Sequence, residues 1–124
     1  MTALWVALAG GLGAGARFVV DGLLTERTSR SLPLATLIIN VIGSFLLGVV
    51  TGWTAGSELA LVRAVLGGGF LGGVTTFSTA SVEFVRLVFS SRRRAAAVLA
   101  VAMIGLSVAM ALLGLLLGGW AARP

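Results

Sequence analysis

Four long apolar stretches dominate the chain, separated by short polar connections. They run from about residue 3 to 20, from 34 (just after Pro33) to 53, from 59 to 89, and from 95 to 120. A hydrocarbon core of about 30 Å needs about 20 apolar residues per helix, and each stretch approaches or exceeds that length. The connections are residues 21–32, with Glu26, Arg27 and Arg30, the brief 55–58, and the run SSRRR over 90–94. This pattern predicts an all-α membrane protein, with residues 1–124 forming one four-helix transmembrane domain. The leading MTALW carries no basic residue, so the first stretch reads as a retained span and not as a signal peptide.

The third span departs from the others. As an unbroken helix its roughly 30 residues would measure about 45 Å, well beyond the membrane. Its middle reads Gly67-Gly68-Gly69-Phe70-Leu71-Gly72-Gly73-Val74-Thr75-Thr76-Phe77-Ser78-Thr79. Glycine lowers the cost of leaving helical geometry, and Thr and Ser hydroxyls can bond the freed backbone groups. The third helix is therefore predicted to be broken near its middle. Backbone polar groups at that depth are tolerated only against protein or an aqueous cavity, and the carbonyl ends of broken membrane helices commonly take cations.

Composition supports the membrane assignment and removes much chemistry. Of 124 residues, 58% are apolar and only 10% charged, against about 25% charged in a soluble domain; the mean hydropathy is +1.10. Cys, His, Tyr and Lys are all absent, which excludes disulfides, His or Cys metal sites, a Ser-His-Asp triad and a thiol nucleophile. Four carboxylates, Asp21, Glu26, Glu58 and Glu83, are too few and too dispersed for a carboxylate metal cage. The net charge of +5 comes from nine arginines scattered among apolar runs, so no nucleic-acid surface is implied. Gly11, Gly13 and Ala16 loosely fit a dinucleotide fingerprint, but the strand, parallel sheet and downstream acid which that motif requires are missing. Small residues at four-residue spacing, in the pairs Gly11/Gly15, Gly48/Gly52, Gly68/Gly72, Gly69/Gly73 and Gly114/Gly118, instead predict closely approaching membrane helices.

Charge also orients the chain. An even number of spans puts both termini on one side. The opposite side receives Arg17, Arg27, Arg30, Arg86, Arg92, Arg93 and Arg94, while the terminal side keeps Arg63 and Arg123. Cytoplasmic loops carry the arginine excess, so a multi-pass protein of the cell membrane with both termini outside is expected. Trp5, Trp53 and Trp120 all fall at the predicted outer ends, where interfacial aromatics belong.

Few polar residues lie within the spans. Asn40 stands about seven residues into the second, and its amide needs partners in hydrocarbon; it can join helices or donate to a passing anion. Arg17 closes the first span and either snorkels to the interface or supplies positive potential to a pore mouth. Glu83 lies near the cytoplasmic end of the third, and Ser107 is the only hydroxyl in the fourth. Neutral donors with one cation nearby suit a small anion.

These residues resemble the bacterial fluoride channels, the Fluc or CrcB family. The resemblance runs the full length: four spans, the small-residue run Gly10 to Arg17, the Asn-x-x-Gly-Ser of Asn40 to Ser44, and the string Gly69 to Thr79, close to the family's GFxGGxTTFST. It implies an antiparallel dimer with two narrow pores and a central structural Na⁺ held by backbone carbonyls matching Gly72 and Thr75. It further implies that Asn40 donates to fluoride and that Phe77 presents its ring edge, which is electropositive. Ser78, Thr79 and Ser107 then belong to the pore's polar lining, and Glu83 matches a family Glu near the end of the third span. The implied activity is passive leak of cytoplasmic fluoride, which limits its toxicity.

Two departures stand out. Ala80 replaces a second Phe usual in the family, and the Tyr common in the fourth span is absent. The arginine bias is also unlike that of a chain inserting both ways, as an antiparallel homodimer requires. Together they predict one subunit of a paired type, with a paralogous partner of opposite orientation. A non-conducting assembly subunit is the alternative. A proton-coupled four-span exporter would need a Glu in the first span, which has none.

Overall fold

The computed structural model describes residues 1–28, 32–56 and 58–123. Arg30, one of the arginines counted for orientation, lies outside them. The order of elements is α1 (Thr2–Arg27), α2 (Leu34–Thr54), α3 (Ala60–Val62), a π-helical segment (Arg63–Leu71), α4 (Gly72–Val74), α5 (Phe77–Phe89) and α6 (Arg93–Ala121). Four helical stretches are long and apolar enough to cross a membrane: Thr2–Arg27, Leu34–Thr54, Ala60–Phe89 and Arg93–Ala121. No strand occurs among the described residues.

The first helix extends seven residues beyond the predicted limit of 20, to Arg27. Hydropathy marks where lipid ends, whereas a helix ends where its backbone finds another partner. No Gly or Pro follows Gly22 until Pro33, and Arg27 in the last turn complements the helix dipole.

Two parallel helix pairs make the core. Gly48 and Gly52 of α2 face the backbone of Ala111 and Leu115, while Gly114 and Gly118 of α6 face the carbonyls of Phe45 and Val49. A Cβ at any of the four would collide with backbone, so close approach of α2 and α6 requires glycine there. Likewise Gly69 and Gly73 of the third span rest on α1 at Val6 and Gly10, and Gly13 of α1 rests on Phe70. Three of the predicted pairs thus meet a neighbour. Gly11, Gly15 and Gly68 have no atom of the chain within 4 Å of an added Cβ, so the other two pairs contribute little to packing within the chain. Spacing reveals that small residues share a face but not which faces are covered.

α2 is the most enclosed span, burying Ala35, Thr36, Ile39, Asn40 and Gly43 in its first half. α1 and α6 expose most of their large apolar side chains, including Leu12, Phe18, Val101 and Leu116, as lipid-facing helices do.

The third span breaks at Thr75 and Thr76, both extended (φ −75°, ψ 153° and φ −148°, ψ 122°). The glycines before them remain helical, Gly67 to Gly69 in the wider i→i+5 winding and Gly72 and Gly73 in α4. Gly69 and Gly73 pack on α1, and the chain departs from the helix only where side chains supply replacement bonds. After α5 the chain turns in a Schellman arrangement. The Arg92 N–H donates to Leu87 O at 3.0 Å and the Ser91 N–H to Val88 O at 3.2 Å. Ser91 occupies the left-handed position, with φ 61°.

Candidate functional site

The break is held from the side by one residue of α2. Asn40 Oδ1 accepts from the Thr76 N–H at 2.8 Å, and Asn40 Nδ2 donates to the Thr76 carbonyl at 2.9 Å. The planar amide thereby pairs with both polar groups of a residue that has left the helix. The second Nδ2 hydrogen has Met103 Sδ of α6 as its neighbour, at 3.6 Å. Thr76 also caps α5: its Oγ1 accepts from the Thr79 N–H at 3.2 Å and lies 3.2 Å from Thr79 Oγ1 and 3.3 Å from Ser78 Oγ.

These bonds change the state of two carbonyls. In a continuous helix the Gly72 carbonyl would receive the Thr76 N–H, and the Thr75 carbonyl would receive the Thr79 N–H. The first N–H goes to Asn40 and the second to Thr76 Oγ1. Because Thr75 and Thr76 are extended, the break takes the regular i→i+4 partners from all four carbonyls of residues 72–75, the predicted ligands Gly72 and Thr75 among them. A helix C-terminus at Val74 and a helix N-terminus at Phe77 meet across two residues, so a negative and a positive dipole end lie side by side. Carbonyls of this kind suit a hard monovalent cation, and the donor end suits an anion. Among the described residues no cluster of His, Cys, Asp or Glu could hold a metal ion.

A cleft of about 510 Å³ opens beside the break, between α2, α5 and α6. It gathers Asn40, Thr75, Phe77 and Ser107 of the predicted set, together with Ala80. Phe77 opens α5 and is 87% exposed in the chain. The Ser107 hydroxyl is buried and has no hydrogen-bond partner. No carboxylate lines the cleft among the described residues. A smaller cleft of about 180 Å³ holds Arg17, Asp21, Thr36 and Thr79, and shares Thr76 with the larger one. Thr76 therefore stands as the wall between a charged vestibule and a neutral chamber.

Three predicted residues, Gly72, Ser78 and Glu83, lie outside both clefts. Ser78 bonds locally to Thr76. Glu83 is half-buried, one carboxyl oxygen has no partner, and the buried Thr36 hydroxyl is within bonding reach of its carboxyl group. Conversely, the larger cleft includes Ser44, Thr76, Ser81 and Met103, none of them among the candidates. Ser44 is one helical turn from Asn40 and Met103 one turn from Ser107, so helical spacing from the two named residues is the signal that finds them.

Comparison with known proteins gives a consistent result. Residues 4–118 match the family described as CrcB-like protein, Camphor Resistance (CrcB). The chain is 53% identical to the "Fluoride-specific ion channel FluC 1" of Leifsonia xyli, covering all of this chain and 91% of that protein. It is 50% identical to FluC 2 of Cutibacterium acnes, covering 95% and 98%. To FluC 2 of Mycolicibacterium paratuberculosis it is 43% identical, covering 90% and 91%.

Proposed function

The chain belongs to the CrcB family, and from that premise we propose that it is a fluoride-specific channel subunit through which cytoplasmic fluoride leaves the cell passively. The observation that carries this reading is the convergence in one cleft of neutral donors without a carboxylate: an Asn40 N–H, the unpaired Ser107 hydroxyl and the Phe77 ring. Fluoride is small and strongly hydrated, so it enters a narrow pore only where donors replace its water. Amide and hydroxyl hydrogens and an electropositive aromatic edge do so, while a carboxylate would repel the ion. Arg17 supplies the positive charge of the adjoining vestibule, which it shares with Asp21. The Thr79 hydroxyl beside it continues the polar lining, with Ser78 and Glu83 nearby on the same helix.

The subunit works as one half of an antiparallel dimer in the lipid bilayer. Support comes from the open glycines of α1 and the exposed apolar faces of α1 and α6. A structural Na⁺ would be held by the Gly72 and Thr75 carbonyls, which are among the four that the break leaves without regular helical partners. Such an ion would fix two broken helices against each other and add positive potential between them. The arginine distribution supports one fixed orientation, termini outside, with a paralogous partner inserted the other way.

Ala80 supports a second reading, that of a non-conducting assembly subunit. It leaves the cleft without the second aromatic that the family usually provides there. Fluoride efflux from liposomes separates the two. Efflux that requires this chain and is lost on Phe77→Ile identifies its own pore as conducting. Efflux that requires the chain but survives that change assigns it the assembly role, and no fluoride efflux, alone or with a partner, refutes both. A C-terminal topology tag reporting inside and outside equally would refute the fixed orientation.

A further inference from the structure

The donor inventory of Asn40 contains a feature that fluoride binding alone does not explain. Its amide has one acceptor oxygen and two donor hydrogens. Thr76 N–H needs an acceptor and Thr76 C=O a donor, so the two short bonds fix which way the amide faces. They also occupy one edge of it. The remaining N–H projects away from the break into the cleft, where Met103 Sδ lies at 3.6 Å. The only hydrogen that Asn40 can offer to an anion is already met, weakly, by a thioether.

A thioether is a poor acceptor on a flexible side chain with three rotatable bonds. It satisfies an amide hydrogen that would otherwise be bare in an apolar setting, yet yields readily to a stronger acceptor. Met103 and Ser107 lie one turn apart on α6 and share the cleft. A side chain that leaves Asn40 therefore moves within the cleft that also holds the Ser107 hydroxyl, the one buried hydroxyl without a partner among the described residues. Resting on the fluoride reading above, we propose that Met103 sets the affinity of the fluoride site: its sulfur caps the Asn40 N–H when the site is empty, and an entering fluoride must displace it. The exchange of one acceptor for another subtracts from the gain of binding. The site is thereby held in the range where an ion enters and also leaves, as conduction requires.

The test is Met103→Leu, which removes the acceptor at similar volume, in liposomes containing the protein assembled as it functions. The half-saturating fluoride concentration for efflux is expected to fall about three- to ten-fold, the range for one hydrogen bond. The maximal rate per protein should fall with it, because release slows. A packing role alone would lower the rate or the yield without lowering half-saturation. If Met103→Leu does not fold, norleucine incorporation on a Met110→Leu background replaces the sulfur by a methylene at almost the same shape. An unchanged or raised half-saturation in a conducting protein overturns the proposal and leaves the channel reading intact. Absence of fluoride efflux from the unmodified protein overturns both.

Discussion

Replacing Asn40 by Ala tests whether the helix break depends on a single side chain. The substitution removes the 2.8 Å and 2.9 Å bonds to the Thr76 peptide and leaves both of its polar groups at a depth where water is scarce. A hydrogen bond contributes about 1 kcal/mol net, and an orphaned buried partner costs about 1–3 kcal/mol. Two bonds to one peptide therefore set a minimum of about 2 kcal/mol, or about 30-fold in a local opening equilibrium. Amide hydrogen exchange reads that equilibrium directly. In the unmodified protein the Thr76 amide should be protected although it lies outside any helix. In Asn40→Ala its exchange should accelerate by about 30-fold or more, while amides in α2 and α6 away from the break change little. Asn40→Asp gives an intermediate result, since one carboxylate oxygen still accepts from the Thr76 N–H and the other faces the Thr76 carbonyl. Exchange at Thr76 within two-fold of the unmodified rate in Asn40→Ala would refute the idea that this amide holds the break.

Three other outcomes follow from the same geometry. Asn40→Asp should abolish fluoride efflux through this subunit's pore by repelling the anion, whatever its effect on stability; liposome efflux measures it. Thr76→Val removes the cap of α5 and should lower stability by about 1 kcal/mol, whereas Thr76→Ser should preserve it; detergent unfolding curves compare them. Gly114→Ala sets a Cβ against the Phe45 carbonyl and should destabilise by at least the about 1–3 kcal/mol of an overpacked core. Gly11→Ala meets nothing within the chain, so a loss of assembled protein there would report a covering subunit.

Much of the fold was legible because lipid imposes a simple rule, and the four spans emerge within a few residues except at the end of α1. The break was legible in kind, from excess length and the Gly-Thr run. Its position was less so. Glycines permit departure from a helix but do not require it, and the departure at Thr75–Thr76 is decided by Asn40, which is 36 residues away in sequence. For the same reason Asn40 reads from sequence as an ion ligand or as interhelical glue, whereas in three dimensions one edge of its amide holds the break and the remaining N–H faces the cleft. Met103 was invisible as a site residue, since a methionine in an apolar helix carries no polar signal. The grouping of Arg17 with Thr79 in one vestibule depends on how α1 packs against α2 and the first half of the third span, which no local pattern encodes.

The π-helical winding of Arg63–Leu71 bears on how this gene tolerates change in length. Such a stretch is in effect an α-helix carrying a surplus residue. Losing one residue there lets it rewind to i→i+4 bonding while the flanking segments keep their facing. The same deletion in α2 would turn everything beyond it by about 100° and carry Gly48 and Gly52 off α6. The third span thus contains a reserve of register on the terminal side of the break. Single-residue deletions should be survivable between 63 and 66, which spares Gly67, Gly69 and Phe70, and lethal to folding in the second span.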